Sequence, residues 1–160
     1  MFVRAKDVGL TGTESPTDID ADRALGGRLE RIRTAAAGLM GIPGSAAVPK
    51  IVLVAPPAPF TALDRARYDA TQADLIARVI SLGACHRAVA LTAAMCLAVA
   101  ARIEGTVVHE VAGPAARDLR LGHPSGVLPI AAEVGPGPVA TRVTVYRTAR
   151  RLMEGAVRIP

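Results

Sequence analysis

The hydrophobic positions in the first half of the chain predict two amphipathic helices with a strand between them. The first helix opens with the carboxylates of residues 18–22 and carries apolar side chains at helical spacing, namely Leu25, Leu29, Ile32 and Leu39. Residues 50–54 form a short β-branched run between prolines, which is typical of a buried strand. The pattern over 74–82 predicts a second amphipathic helix, which Gly83 ends.

An apolar run at 88–101 predicts the centre of the domain. Thr92 is the only polar interruption, and arginines bound the run on both sides. The run is shorter than the roughly 20 residues that a bilayer span requires. A helix of this length that is apolar on all sides is typical of the buried centre of a globular domain. We therefore expect Cys96 to be a core residue.

Beyond Gly105 the pattern changes to that of strands. Predicted strands at 106–111, 119–121, 127–134, 140–146 and 156–159 are separated by Gly and Pro clusters. Strands thus surround one buried helix, with amphipathic helices outside them. This order of elements predicts an α+β fold class with a strongly curved sheet.

Length and composition limit the class of protein. The 160 residues, of which 51% are hydrophobic and 21% charged, predict one domain with a sizeable core. Two cysteines cannot form a disulfide framework, and no signal-like segment opens the chain, so we predict a cytoplasmic protein. A net charge of +5 raises nucleic acid or membrane as partners. Because the basic residues are scattered and no aromatic residues lie among them, we predict neither partner and favour an anionic ligand.

The spacing of the cysteine and histidine residues favours neither a nucleophile–base pair nor a metal site. Cys85 and His86 resemble a nucleophile and its base, but adjacent residues on a helix do not face each other. We therefore favour a packed, unreactive thiol at Cys85 over thiolate chemistry. The three histidines and two cysteines show no metal-ligand spacing, so we predict no metal site.

The densest polar feature among the strands is the turn Gly122-His123-Pro124-Ser125-Gly126. It brings backbone N–H groups, a hydroxyl and an imidazole to one place, which suits a carboxylate; a plain hairpin turn is the alternative. Thr92 is a second feature. It either caps a helix whose N-terminus attracts anions or bonds back to a carbonyl in mid-helix.

Several motifs, in this order and with similar gaps, resemble the PrpF family. They are Phe2-Val3-Arg4-Ala5-x-Asp7-Val8-Gly9-Leu10-Thr11-Gly12-Thr13-Glu14, Pro49-Lys50-Ile51, Ser81-Leu82-Gly83-x-x-His86-x-Ala88, Gly105-Thr106-Val107-Val108, Gly122-His123-Pro124-Ser125-Gly126 and Arg147-Thr148-Ala149-Arg150-Arg151-Leu152-Met153-Glu154-Gly155. The resemblance covers essentially the whole chain. It implies half of a diaminopimelate epimerase-like fold, with a curved, mostly antiparallel sheet around a central apolar helix.

The resemblance also implies that this chain corresponds to the C-terminal portion of longer proteins. Residues 1–146 are then the C-terminal half-domain, and residues 147–160 hold a tail strand that pairs with an N-terminal half. The family's proton-transferring Lys and its Cys motif belong to that other half and match nothing here, so no catalytic residue is assigned. An unpaired apolar tail predicts self-association, or a mobile C-terminus.

The expected activity is that of 2-methylaconitate cis-trans isomerase or 4-oxalomesaconate tautomerase, acting on a small tricarboxylate without a cofactor. The substrate-binding residues predicted here are Gly83, His86, Thr92, Ala93, His123, Ser125 and Gly126. Residues 90–94 resemble the helix-start motif Cys-Gly-Thr-Gly-Ala of the epimerases, with Ala93 in place of the second Gly. Two function classes stay open: an isomerase completed by the other half, and a non-catalytic small-acid-binding or remnant module of the same fold.

Overall fold

A curved mixed sheet wraps around one helix in the computed structural model of the protein, which describes residues 1–42, 44–112, 118–147, 150–156 and 158. The strands are β1 (Phe2–Arg4), β2 (Ile51–Ala55), β3 (Phe60–Thr61), β4 (Arg67–Tyr68), β5 (Leu75–Ser81), β6 (Ala84–Cys85), β7 (Leu119–His123), β8 (Gly126–Val134) and β9 (Ala140–Val145). The helices are α1 (Pro16–Ala21), α2 (Arg23–Leu39), α3 (Leu91–Ala100) and α4 (Val107–Ala112).

The main sheet has the strand order β1-β2-β5-β7-β8-β9, with β6 paired to β5. Its pairings are antiparallel except for two: β1 runs parallel to β2, and β5 runs parallel to β7 through Leu75↔Leu121 and Ile76↔Gly122. The short strands β3 and β4 form a separate hairpin. The prediction of an α+β fold with a curved, mostly antiparallel sheet is therefore confirmed.

The two faces of the sheet bury different layers. Leu75, Ala77 and Val79 of β5 belong to the cluster that contains α3, whereas Ile80 belongs to the cluster under α1 and α2. Full burial of a large aliphatic side chain such as Leu75 or Val79 stabilises the fold by about 1.5–3 kcal/mol. Since α3 also contacts β8 and β9, the sheet holds this helix along most of its length.

The predicted helix over 74–82 is wrong, because this segment is strand β5. Its apolar positions fit a helical period, but every residue from Leu75 to Ile80 is buried. Both faces of the strand are covered, so the usual alternation of polar and apolar positions is lost. The continuous run contains β-branched Ile76, Val79 and Ile80, which favour a strand.

The predicted strand over 106–111 is also wrong, because Val107–Ala112 form α4. The Thr106 hydroxyl oxygen accepts a hydrogen bond from the His109 N–H at 3.1 Å, and the Thr106 carbonyl accepts one from the Glu110 N–H. Thr106 thus acts as an N-cap. The β-branched valines that follow it predict a strand, but Val108 is fully buried as part of a helix.

The central helix α3 is shorter than the apolar run that predicts it, and one of its faces is open. Leu91 is 36% exposed, and Thr92 and Cys96 are exposed, so the prediction of Cys96 as a core residue is wrong. The cause is that the sheet does not close between its edge strands β1 and β9. In the part of the chain that the structure describes, no helix is long and apolar enough to cross a bilayer.

The predicted strand over 156–159 falls partly outside the described residues, since 157 and 159 are not described. Ala156 and Arg158 are exposed and are not in a strand. The division into a half-domain of residues 1–146 and a tail strand of residues 147–160 remains a prediction.

Candidate functional site

The polar turn singled out in the sequence joins β7 to β8. His123 and Gly126 are partners in the antiparallel register, so Pro124 and Ser125 form a two-residue turn between them. Gly126 has a φ of +127°, and a Cβ there would lie 2.9 Å from the Tyr68 hydroxyl. A residue with a side chain would therefore strain the turn. The two alternatives for this turn were a carboxylate-binding site and a plain hairpin turn. The backbone has the hairpin geometry, so any ligand binding depends on the side chains of the turn.

Both hydrogen-bond donors of Ser125 are used within the protein. Its backbone N–H donates to Nδ1 of His123 at 3.1 Å. Its hydroxyl donates to the carbonyl of Arg87 at 2.6 Å, three residues before the N-cap of α3. Ser125 therefore ties the turn to the segment that leads into the central helix.

His123 is a buried histidine with 9% of its surface exposed. Burial lowers its pKa to about 4, and the positive charge of Arg78 contributes in the same direction. The imidazole is therefore neutral near pH 7. Since Nδ1 accepts a hydrogen bond, the hydrogen of the neutral ring lies on Nε2.

A pocket of about 340 Å³ opens beside His123 at the start of α3. Its lining consists of Ala88, Val89, Leu91, His123, Leu128, Val145, Tyr146 and Arg147. This volume suits a small ligand. Mostly apolar walls with one imidazole, one phenol and one guanidinium suit a small organic acid with a hydrocarbon part.

Tyr146 and Arg147 are the site residues that the sequence analysis missed. Both are exposed and follow β9, far along the chain from the turn. A hydrogen bond from Tyr146 to Asp118 raises the pKa of the tyrosine. Only the return of β9 alongside β8 brings them to the start of α3. The one sequence signal was the family-like motif that begins at Arg147.

Thr92 and Ala93 lie in the first turn of α3 but do not line this pocket. The N-cap is Ala90, and Thr92 is exposed; within the described residues its hydroxyl has no hydrogen-bond partner. Neither alternative for Thr92 is therefore realised. Ala93 is buried and packs in the core around α3.

Gly83 and His86 are not brought to the His123 pocket. Leu82 and Gly83 form the tight turn between β5 and β6 with φ values of +52° and +79°. Gly83 lines a separate groove of about 270 Å³ against α1 and α2. The His86 N–H donates to the carbonyl of Val79 at 2.8 Å, and its side chain is half-buried.

Cys85 is a thiol in strand β6 and not at a helix junction. It is buried, and its N–H donates to the Asp20 carboxylate at 2.7 Å. Burial raises the pKa of the thiol to about 11. The interpretation of Cys85 as packed and unreactive is confirmed.

The other grooves are less suited to an acid. A larger one of about 560 Å³ is lined by charged residues near β1 and α4. Its Arg4 already pairs with Glu110 and with Asp7. The structure therefore favours the His123 pocket as the candidate site.

Comparison with known proteins finds similarity along the whole chain. The family model described as PrpF protein matches residues 1–160. A 2-methyl-aconitate isomerase of Shewanella oneidensis is 37% identical over 172 aligned residues, which cover 100% of this chain and 43% of that protein. A 3-methylitaconate isomerase of Eubacterium barkeri is 35% identical over 168 residues, which cover 98% of this chain and 44% of that protein.

A solved structure has the same fold. The crystal structure of a methylitaconate-delta-isomerase matches 96% of this chain with a TM-score of 0.86 and 34% sequence identity. The match covers 42% of that protein's chain. The present chain thus spans less than half the length of the relatives that it matches.

Proposed function

Because this chain belongs to the PrpF family, we propose that it forms one part of an isomerase acting on an unsaturated tricarboxylate by proton transfer. The observation that carries the proposal is the pocket at the start of α3, where a neutral imidazole and a guanidinium share apolar walls. The relative named as a 2-methyl-aconitate isomerase supports a tricarboxylate. The relative named as a 3-methylitaconate isomerase supports the wider class of unsaturated carboxylic acids, since methylitaconate has two carboxyl groups.

Two reactions fit this pocket: cis-trans isomerisation of 2-methylaconitate and tautomerisation of the oxalomesaconate type. In both, a base removes a proton from a carbon next to a carboxyl or carbonyl group, and negative charge develops on oxygen. Hydrogen-bond donors fixed near that oxygen lower the barrier. In the tautomerisation the proton returns to a different atom. In the cis-trans isomerisation the delocalised anion rotates about the former double bond, and the proton returns to the carbon that it left. No electrons are gained or lost overall in either reaction, so no redox cofactor is required.

The described residues that line the pocket can bind the substrate, but none of them is a suitable base for removing the proton. Arg147 offers a guanidinium, which binds carboxylates well, and Leu128 and Val145 offer apolar surface to the carbon chain. His123 is a poor general base near pH 7, because its pKa lies at about 4. The base is therefore expected from the other half of the longer family members, as the resemblance implies for its Lys.

The test is complementation. Purified chain is incubated with 2-methylaconitate or cis-aconitate, alone and together with the portion of a longer relative that this chain does not match, and the ultraviolet absorbance is followed. We expect the chain alone to match a heat-killed control and the mixture to show turnover. Turnover by the chain alone would place the base within it. A mixture without turnover would contradict the isomerase proposal, provided that the two parts co-purify.

A non-catalytic acid-binding module is the second candidate. It is favoured by one observation: burial lowers the pKa of His123 to about 4, and the hydrogen bond to Asp118 raises the pKa of Tyr146, so both pocket side chains are shifted away from neutrality. If this candidate is right, calorimetry detects binding of trans-aconitate by the chain, and the portion of a relative that this chain does not match adds no turnover.

A further inference from the structure

We infer that His123 binds the ligand as a neutral hydrogen-bond donor through Nε2, and that Ser125 is a positioning residue that holds His123 in this role and does not itself bind the ligand. The inference rests on the proposed function for the ligand class, an unsaturated carboxylic acid. It changes the role of Ser125, which the sequence analysis assigns to substrate binding.

The backbone of the turn fixes which ring nitrogen carries the hydrogen. The Ser125 N–H points at Nδ1 of His123 from 3.1 Å, and only an unprotonated nitrogen accepts a hydrogen bond. In a doubly protonated ring two N–H groups would face each other at this distance. The turn therefore favours the tautomer with the hydrogen on Nε2 and opposes protonation of the ring, independently of burial.

Nε2 of this tautomer is free to donate. Within the described part of the chain, the bond from Ser125 is the only hydrogen bond of the His123 ring. No fully buried side-chain nitrogen or oxygen among the described residues lacks a partner, so Nε2 is not sealed in the core. Since His123 lines the pocket, its small exposed surface supplies a donor there.

The Ser125 hydroxyl sets where that donor lies. By donating to the Arg87 carbonyl at 2.6 Å, it holds the turn against the segment before α3. Ala88 and Val89 of this segment, together with Leu91 at the start of α3, line the pocket that His123 also lines. Because the hydroxyl hydrogen is already used, Ser125 has no donor left for a ligand.

The charges around the His123 ring also favour its neutral form. Arg78 of β5 lies close enough to disfavour a positive charge on His123, and Arg147 lines the same pocket. Tyr146, the remaining titratable side chain in the lining, is neutral near pH 7, since its hydrogen bond to Asp118 raises a pKa whose ordinary value of 10.0 already lies well above 7. A neutral donor beside a guanidinium suits a carboxylate that gains further negative charge during the reaction.

The first experiment measures the tautomer without ligand. Long-range ¹H–¹⁵N correlation of the imidazole at pH 7 should show a neutral His123 ring with its hydrogen on Nε2. Ser125→Ala removes the tie to Arg87 that holds the turn in place. Because the loosened turn no longer keeps the backbone N–H on Nδ1 of His123, we expect a second tautomer to become visible. Ser125→Thr retains a hydroxyl and should restore the single tautomer. A direct ligand contact by Ser125 would leave the free protein unchanged.

The second experiment measures binding of trans-aconitate by calorimetry. His123→Gln keeps an N–H donor near the position of Nε2, and we expect an affinity within about threefold of the wild type. His123→Leu removes the donor and should lose about tenfold or more. His109→Gln, which lies in α4 outside the pocket, is the matched control and should have no effect.

The outcomes separate this inference from the proposed function. A hydrogen on Nδ1, or equal affinities for His123→Leu and the wild type, would overturn the donor role. An unchanged tautomer in Ser125→Ala would overturn the positioning role. Both experiments use the chain alone and need no turnover, so a failed complementation assay leaves their result standing.

Discussion

His123 makes the stability of the protein dependent on acid. Its pKa is about 4 in the folded chain, against an ordinary value of 6.5, because burial disfavours the charged ring. Between these two values the unfolded chain binds a proton that the folded chain does not, so the free energy of unfolding falls as the pH falls from about 6.5 to 4. The loss is at most about 3 kcal/mol.

Urea unfolding at several pH values tests this window. His123→Gln has no ring to protonate, and we expect its stability to fall less steeply than that of the wild type between pH 6.5 and 4. His109→Gln should keep the wild-type slope. Identical slopes for His123→Gln and the wild type would show that His123 protonates as easily in the folded chain as in the unfolded one.

Gly126 is required by its backbone and by its neighbour. Its φ of +127° disfavours any side chain, and a Cβ would meet the Tyr68 hydroxyl at 2.9 Å. We expect Gly126→Ala to lower the free energy of unfolding by about 2 kcal/mol. In a Tyr68→Phe background the nearest ring atom is a carbon at 3.5 Å, so the same change should cost less. A double-mutant cycle by urea unfolding measures the difference; equal costs would assign the whole effect to the backbone.

At the scale of elements, α3 is a central helix with one open face. Cys96 lies on that face and is exposed, whereas Cys85 is buried in β6. We expect iodoacetamide at pH 8 to modify Cys96 at least tenfold faster, because burial raises the pKa of Cys85 to about 11. Mass spectrometry of the native protein reads out both sites. Cys96→Ser should leave only slow labelling, and faster reaction of Cys85 would contradict the packing described for β6.

The elements that the sequence predicted correctly have local causes. Strand β2 lies between prolines, β8 is bounded by glycines, and β9 follows the Gly and Pro residues at 135–138. Helix α2 follows Asp22, whose side chain accepts the Leu25 N–H at 2.9 Å. Strand β5 was mistaken for a helix because tertiary packing covers both of its faces. Helix α4 was mistaken for a strand because a threonine cap outweighs the β-preference of two valines.

The sequence predicts the candidate site only in part, because tertiary structure and not local sequence brings some of its residues together. His123, Ser125 and Gly126 are neighbours in sequence, so a single turn brings them together. Tyr146 and Arg147 reach the pocket through the pairing of β9 with β8, which no local pattern reveals. The hydrogen bond between Ser125 and Arg87 joins residues 38 positions apart and was likewise beyond sequence reasoning.

At the scale of the whole molecule, the sheet is unclosed over α3. A groove of about 430 Å³ runs from β1 to β9 and is lined by Phe2, Met95, Cys96, Val99, Ala100, Ile103 and Val143. Each of the two edge strands has one unpaired side within the described sheet, and exposed edges beside apolar surface favour association. Leu152 and Met153 of the tail are 85% and 87% exposed, so they are further apolar side chains open to water.

We therefore expect the isolated chain to associate as its concentration rises, as light scattering or sedimentation would show. Val143→Lys places a charge in the groove on β9 and should shift the distribution toward monomer. Thr144→Lys, the next residue on the opposite face of the strand, is the matched control and should change little. If the protein stays monomeric at all concentrations, the prediction of self-association is wrong and the groove over α3 is stable when exposed to water.

The two parallel pairings have a consequence for how the chain reaches its structure. β7, β8 and β9 are consecutive hairpins, which form between near neighbours in the chain, whereas Leu75 pairs with Leu121 and Phe2 pairs with Val52. Contacts between distant residues slow folding, because the loop between them must first close. We expect the β7–β9 meander to assemble early and β1 to dock late, so that newly made chains expose the strand edge beside β2 for longest.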